Sequence, residues 1–452
     1  MKQPLTILAV AVLAIILIYA CGSTISTGNT SFVTITIGDT PHTAQLKAEN
    51  ATLWARFKYF LADAKMMPEA YAYIPSVVQT IVVTVTAADI STPIVGVASI
   101  APTDTTASIR IEAPNGSARQ FLVEGLRSLD GRTYYSGTAT RDLNSTDLMM
   151  TIDMSFIGPG IWVSPTGNDT IGTGTQTNPY ATISKALSTT TGTDAILVSA
   201  GTYTLTVGAG PATLQLRPGT ALICLGTAFS SIIDASSTVD DLIYGNEGAS
   251  VDNCKLIPGS DTTAIDDRNG GPTGVPSRII VNGVFIDANG AVGGALDGIM
   301  LSADSTVVET TVQNTTWHGI NILGGNPTIK SSTVVNNPTG ISISGSASGL
   351  ITGNSIDHNT TGVLINIGSL GDPRINGNSI YCNTFVGADV TSISAVRLES
   401  NAWNRDANTV PLGPRISGAN CLNGDDICPR IGTPLPAYLP VSPAAPNGCP
   451  TP

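Results

Sequence analysis

The sequence predicts an all-β protein: an N-terminal β-sandwich, then a right-handed parallel β-helix of about 8–10 coils, then a C-terminal cap rich in Pro and Cys. Three observations predict it. Charged residues make up only 12% of the 452 positions while apolar residues make up 42% and Gly fills 47, a mix suited to short strands and tight turns. Residues 32–157 contain a series of alternating apolar and polar runs. From about residue 280 the chain repeats itself at intervals near 22 residues.

The first element is the apolar run Leu5–Ala20, behind a single Lys2. Its 16 residues fall short of the roughly 20 needed to span a bilayer and fit a secretory signal. Ile18-Tyr19-Ala20-Cys21 resembles the bacterial lipoprotein signal. That resemblance implies that residues 1–20 are removed and that Cys21 is lipidated. Gly22, in place of the Asp that goes with inner-membrane retention, then implies the outer membrane or cell surface. Residues 21–31 read as a linker.

Residues 32–157 read as the sandwich. FVTITIG (32–38) alternates, residues 48–64 read as a short amphipathic helix, and residues 77–90 alternate again. Residues 119–143 read as a hairpin around Asp130-Gly131, and LMMTIDMSF (148–156) closes the set. Five to seven strands over about 125 residues suggest an immunoglobulin- or transthyretin-like sandwich. The run from Pro114 to Gly137 resembles a module common in bacterial surface lipoproteins, which implies a spacer or assembly surface.

Gly158-Pro159-Gly160 marks a boundary, and the helix is expected over 161–403. Residues 161–204 resemble the N-terminal segment, a family of unknown function, that opens many secreted parallel β-helices. The matching residues are Val163-Ser164, Gly167-Asn168-Asp169, Gly174-Thr175, Asn178-Pro179, Thr182-Ile183, Ala186-Leu187 and Gly201-Thr202-Tyr203. Thr182–Leu187 reads as a short helix over the open end of the coil, and residues 196–198 as the first inward-facing strand. Asn168 and Asp169 lie in a loop whose oxygens either hold calcium or bond to the loop itself.

The repeat aligns on Ile286, Val312, Val334, Ile356, Ile380 and Trp403, at steps of 26, 22, 22, 24 and 23. Three residues after the first five anchors stand Asn289, Thr315, Asn337, Asn359 and Asn383; two before the last four stand Ser332, Asn354, Asn378 and Asn401. A second column reads Gly298-Ile299, Gly319-Ile320, Gly340-Ile341 and Gly362-Val363. Ile and Val are the expected interior, Asn the expected hydrogen-bonded ladder at the bends, and Gly or Asn the left-handed corner residues. Residues 404–452 lose the period and read as cap and tail.

Beyond Cys21, six cysteines remain: Cys224, Cys254, Cys382, Cys421, Cys428 and Cys449. An even number in an exported chain points to disulfides. Spacing favours Cys224–Cys254 and Cys421–Cys428, which leaves Cys382–Cys449.

A net charge of −12 without any Lys/Arg run excludes a nucleic-acid partner, and the absence of a CxxCH motif excludes covalent haem. Several β-helix families act on acidic polysaccharides: pectate lyases, polygalacturonases, pectin methylesterases and mannuronan epimerases. Likeness to them implies carboxylates or calcium beside a basic residue, gathered on neighbouring coils. In this chain the charged residues of the coils scatter over different columns. Arg374 and Arg397 share one, without an acid. Polygalacturonase-type words are absent except for an isolated Asp266-Asp267, followed by Arg268, in AIDDRNGG. The best constellation is Asp297 before Gly298 and His318 before Gly319, with Trp317 alongside: an acid, an imidazole and an aromatic platform suited to a sugar. His358 shares a turn column with Asn314, Asn336 and Cys382 and reads as scaffold.

The expected function is a lipid-anchored, surface-exposed β-helix in the bacterial envelope, a non-catalytic module that binds or assembles with a glycan or another envelope protein. Its membrane contact is the lipid anchor. The alternative is a polysaccharide lyase, epimerase or hydrolase using Asp266, Asp267, Asp297 and His318. No cofactor is expected, calcium at Asn168 and Asp169 being the single exception.

Overall fold

The computed structural model describes residues 30–37, 78–403 with short breaks (268–276 and 289–295 among them) and 425–429. The expected signal, Cys21, the helix expected over 48–64, Arg268 and nearly all of the expected cap lie outside the described residues.

The alternation in residues 32–157 folds as two sheets around one core. Strands β1 (Thr30–Ile37), β2 (Val78–Thr86), β3 (Ile94–Ser99), β4 (Ala107–Pro114), β5 (Gly116–Arg127), β6 (Thr133–Leu143), β7 (Leu148–Thr151) and β8 (Ser155–Phe156) follow in chain order. One sheet runs β4-β1-β7, the other β3-β2-β5-β6-β8. Period-2 patterning puts Val33, Ile35 and Ile37 of one sheet and Ile81, Val83 and Val85 of the other in the same buried cluster. The expected hairpin is the antiparallel β5–β6 pair, with Gly131 left-handed at its tip.

The β-helix follows. β9 (Gly160–Val163) pairs in parallel with β10 (Ala195–Val198), and between them α1 (Ile183–Thr189) buries Ile183, Ala186 and Leu187 over the end of the coil. Thr182 caps α1, its hydroxyl accepting from the Lys185 amide. The helix therefore opens one strand earlier than residues 196–198. Three parallel sheets of ten, nine and nine strands then stack, each coil passing from the first sheet to the second and third. A strand joined by crossover to its parallel neighbour winds right-handed.

Every repeat anchor meets its neighbours in register: Ile286 opposite Val312, then Val334, Ile356, Ile380 and Trp403, all in the second sheet. The bend between the second and third sheets places Asn314, Asn336, His358 and Cys382 in left-handed backbone, so His358 is a corner residue as the alignment reads it. The next residue in each coil turns inward and forms the ladder. Asn337 Nδ2 donates to Asn359 Oδ1 at 3.1 Å and Asn359 Nδ2 to Asn383 Oδ1 at 3.2 Å. A parallel ladder at the first bend runs Asn354–Asn378–Asn401, each step 2.9 Å.

The second-column glycines serve a different purpose from the one expected. Gly298, Gly319, Gly340 and Gly362 are not left-handed; a Cβ on any of them would run into the backbone carbonyl of the coil below. They are glycine because neighbouring coils approach too closely for a side chain.

The two units share a core. Along the first sheet Ile196 and Val198 point into the coil, whereas Ala195 and Leu197, with Ala221 and Ile223 one coil on, point outward into the sandwich cluster. The Arg127 guanidinium locks the seam, donating to Tyr134 Oη at 2.8 Å and to Gly219 O at 2.7 Å. Gly158 and Gly160 are packed against Tyr134 and Leu197, where a Cβ would lie 2.7 Å from either side chain. Gly158-Pro159-Gly160 is thus a tight seam.

Cys224 and Cys254, both fully buried, form a disulfide across successive coils. Cys382 is also disulfide-bonded, while the side chains of Cys421, Cys428 and Cys449 lie outside the described residues. The first bridge closes 30 residues. In the chain-entropy account such a loop stabilises by about 3–4 kcal/mol. The Cys224→Ser, Cys254→Ser double variant should lose about that much in urea unfolding; unchanged stability would show that stacking alone fixes these coils.

Candidate functional site

The site is built where two glycine-led strands of the third sheet, Asp297–Leu301 and His318–Ile322, stack in register. Asp297 lies directly opposite His318, and Ile299 opposite Ile320 in the interior. Strand alternation turns Asn321 away from that interior, and its bond to Asp297 brings the two together although three residues separate Asn321 from the histidine opposite Asp297. His318 Nδ1 and Asp297 Oδ1 share a 2.7 Å hydrogen bond, and Asn321 Nδ2 donates to Asp297 Oδ2 at 3.0 Å. Asp297 is 1% exposed. A carboxylate held this way fixes the imidazole's orientation and places its proton on Nδ1 when the ring is neutral, leaving Nε2 as an acceptor. Nε2 has no hydrogen-bond partner among the described residues. Trp317 packs edge-on to His318, centroids 5.9 Å apart, and is 59% exposed with its indole N–H uncommitted among the described residues. The group is a rigid acid–imidazole pair beside a projecting aromatic face.

Sequence reasoning brought Asp297, His318 and Trp317 together through the glycine column. It missed Asn321, which reading outward positions three residues beyond the histidine would have found. The next rungs carry Thr339 and Thr361 in the histidine's column and Ser342 in that of Asn321, all uncharged.

The other candidates stand elsewhere. Asp266 ends the strand Thr263–Asp266 and is fully buried, opposite Met300 and three residues past Thr263, the partner of Asp297. Asp267, also fully buried, accepts from Ser302 N at 2.6 Å, Ser302 Oγ at 3.0 Å and Ser305 Oγ at 2.6 Å. Burial pushes its carboxyl above the usual range, and the bonds from Ser305, Ser302 and Ala303 pull it part of the way back. Its chemistry is that of an acceptor hub for residues 302–305. Asp287 lies on the second sheet, where it accepts from Asn314 Nδ2 at 2.8 Å. These carboxylates do not converge, and among the described residues no three His, Cys, Asp or Glu gather as a metal site.

Asn168 and Asp169 are spent on their own loop. Asp169 accepts from the Ala181 and Thr182 amides at 2.7 and 3.0 Å and from Thr182 Oγ1 at 2.7 Å. Asn168 Oδ1 accepts from the Thr170 amide at 2.8 Å. These bonds form the self-bonded turn. Arg374 and Arg397 do share a column, in the first sheet. His358 pairs with Asp357 at 3.3 Å on the strained corner.

Residues 226–424 match the model of the family described as periplasmic copper-binding protein, NosD. The stretch covers most of the coils and leaves out the sandwich and the opening loop. No curated protein matches the chain. Among solved structures, the A-module of mannuronan C-5 epimerase from Azotobacter vinelandii is 15% identical, covers 56% of this chain and 91% of its own, with a TM-score of 0.36. A pectate lyase is 14% identical over 65% of this chain and 82% of its own, TM-score 0.30. The catalytic unit of an α-1,3-glucanase from Streptomyces thermodiastaticus is 11% identical over 82% of this chain and 89% of its own, TM-score 0.34. No residue role passes from these structures to this chain.

Proposed function

We propose that this protein is an envelope β-helix, lipid-anchored through Cys21, that binds glycan at the Trp317–His318–Asp297 face without turning it over. The observation that carries the reading is Trp317: 59% exposed, on a chain with only 5% aromatic residues, and set edge-on against half-buried His318, which the buried Asp297 holds. A projecting indole supplies the apolar face on which a pyranose stacks, and Nε2 of His318 and the indole N–H supply hydrogen bonds to its hydroxyls. The lipoprotein-like signal and the match to a family described as periplasmic support the envelope location. The sandwich, sharing a core with the first coils, then holds the helix rigidly at the anchored end.

Copper favours imidazole and sulfur donors. Among the described residues Cys224, Cys254 and Cys382 are oxidised, and His318 and His358 stand two coils apart, each on its own carboxylate. Those residues do not fit a copper centre, so the reading contains none.

One observation favours a second reading: the 2.7 Å Asp297–His318 bond is the geometry that readies an imidazole as a general base. A lyase or epimerase would use it to take a proton from a uronate. Binding and turnover separate cleanly. The mature protein should retain acidic envelope polysaccharides in affinity electrophoresis, and Trp317→Ala should weaken that retention at least tenfold. Incubation with polyuronates should release no unsaturated or epimerised sugar. Product that disappears in His318→Gln would replace the binder with the enzyme.

A further inference from the structure

A concave surface lies before residue 226, outside the family match and remote in sequence from Trp317. It is a cleft of about 560 Å³ between the opening loop and the first sheet. Trp162, Ile171, Gln176, Thr177, Asn178 and Ser199 line it, and no Asp, Glu, Lys, Arg or His is among its lining residues. In a chain of net charge −12 that neutrality selects against ions of either sign.

The cleft is held in shape by its own backbone. Trp162 donates to Gly174 O at 2.8 Å and accepts from the Tyr180 amide at 3.0 Å, while Asn168 donates to Pro179 O at 3.1 Å. Gly167 and Gly172 sit so close to Tyr180 O and Asn168 O that neither could carry a Cβ. Asp169 clips the loop to the start of α1, and Trp162 packs against the core shared with the sandwich. The lining groups divide by use. Asn178 Nδ2 is committed to Ile171 O at 3.2 Å, whereas Gln176, Thr177 and Ser199 make no side-chain hydrogen bond among the described residues. Ile171 is 71% exposed.

We infer that this cleft is a second, independent glycan site that takes an uncharged oligosaccharide. The apolar side chains of Trp162 and Ile171 suit the faces of pyranose rings, and the free amide and hydroxyls of Gln176, Thr177 and Ser199 suit their hydroxyl edges. A preformed wall spares the ordering cost that a loose loop would impose on a weak, hydroxyl-rich ligand.

The test is a titration of the full mature chain with neutral hexaoses (α-1,4-, β-1,4- and β-1,3-linked glucans) and with hexagalacturonate, read by the indole NMR signals. A neutral hexaose should move the Trp162 signal saturably, and the Gln176→Ala, Thr177→Ala double variant should bind it at least tenfold more weakly. Both side chains are exposed, so circular dichroism should be unchanged in the variant. Trp317→Ala should leave this binding intact, which separates the cleft from the face proposed above. The inference is overturned if no neutral hexaose moves Trp162, if the double variant binds as the parent does, or if Trp317→Ala removes all binding.

Discussion

Asn378→Ala should cost about 3–5 kcal/mol of stability in urea unfolding, a large loss for one side chain. Asn378 is 1% exposed and sits mid-ladder. Its Nδ2 donates to Ile351 O and Asn401 Oδ1, both at 2.9 Å, and its Oδ1 accepts from the Asn354 amide at 3.0 Å and Asn354 Nδ2 at 2.9 Å. Alanine leaves a buried amide, a buried carbonyl and two asparagine side chains short of a partner. Each such group costs about 1–3 kcal/mol. Because a solenoid is held by neighbour contacts, the transition should also broaden as the last coils melt away from the rest. A loss under about 1 kcal/mol would mean that the ladder is decoration and that the Ile/Val interior alone holds the stack.

Gly340→Ala should be about as damaging, by a different cause. Its Cβ would stand 2.5 Å from Gly362 O and 2.9 Å from both Asn359 Nδ2 and Ile356 Cγ2. The first of these atoms is backbone, fixed by the next coil, so relief requires prying two rungs apart. We expect about 3 kcal/mol of destabilisation, at the upper end for overpacking. Gly131→Ala is the control: left-handed at φ +67° with nothing within 4 Å of the added Cβ, it should cost only about 1–2 kcal/mol. Equal losses at the two positions would show that backbone conformation, not coil spacing, fixes the glycine column.

The contrast between these glycines also shows what a sequence can carry. The anchors and both Asn columns were legible because a period near 22 forces chemically identical positions to stack. The Asp297–His318 pair followed from the same alignment, and the Cys224–Cys254 bridge from the spacing of the two cysteines. The shared core was not legible. AILV and ALIC in the first sheet are apolar at every position, and nothing in such a run tells Leu197 and Ile223, which face the sandwich, from Ile196 and Leu222, which face the coil. The role of Asp267 was hidden because its donors lie 35 to 38 residues away. Glu309 and Ser331 occupy left-handed corners that elsewhere carry Gly or Asn, so the first bend reads irregularly until the backbone is seen.

The central claim is that Trp317 meets a sugar. Uniform ¹⁵N labelling gives one indole N–H signal for each of the four tryptophans, and Trp317→Ala assigns the one that matters. Titrating the mature protein with the oligosaccharide best retained in the affinity screen should shift the Trp317 signal saturably, with the same midpoint as binding. An acidic oligosaccharide that binds at full strength while the Trp317 signal stays still would contradict the account.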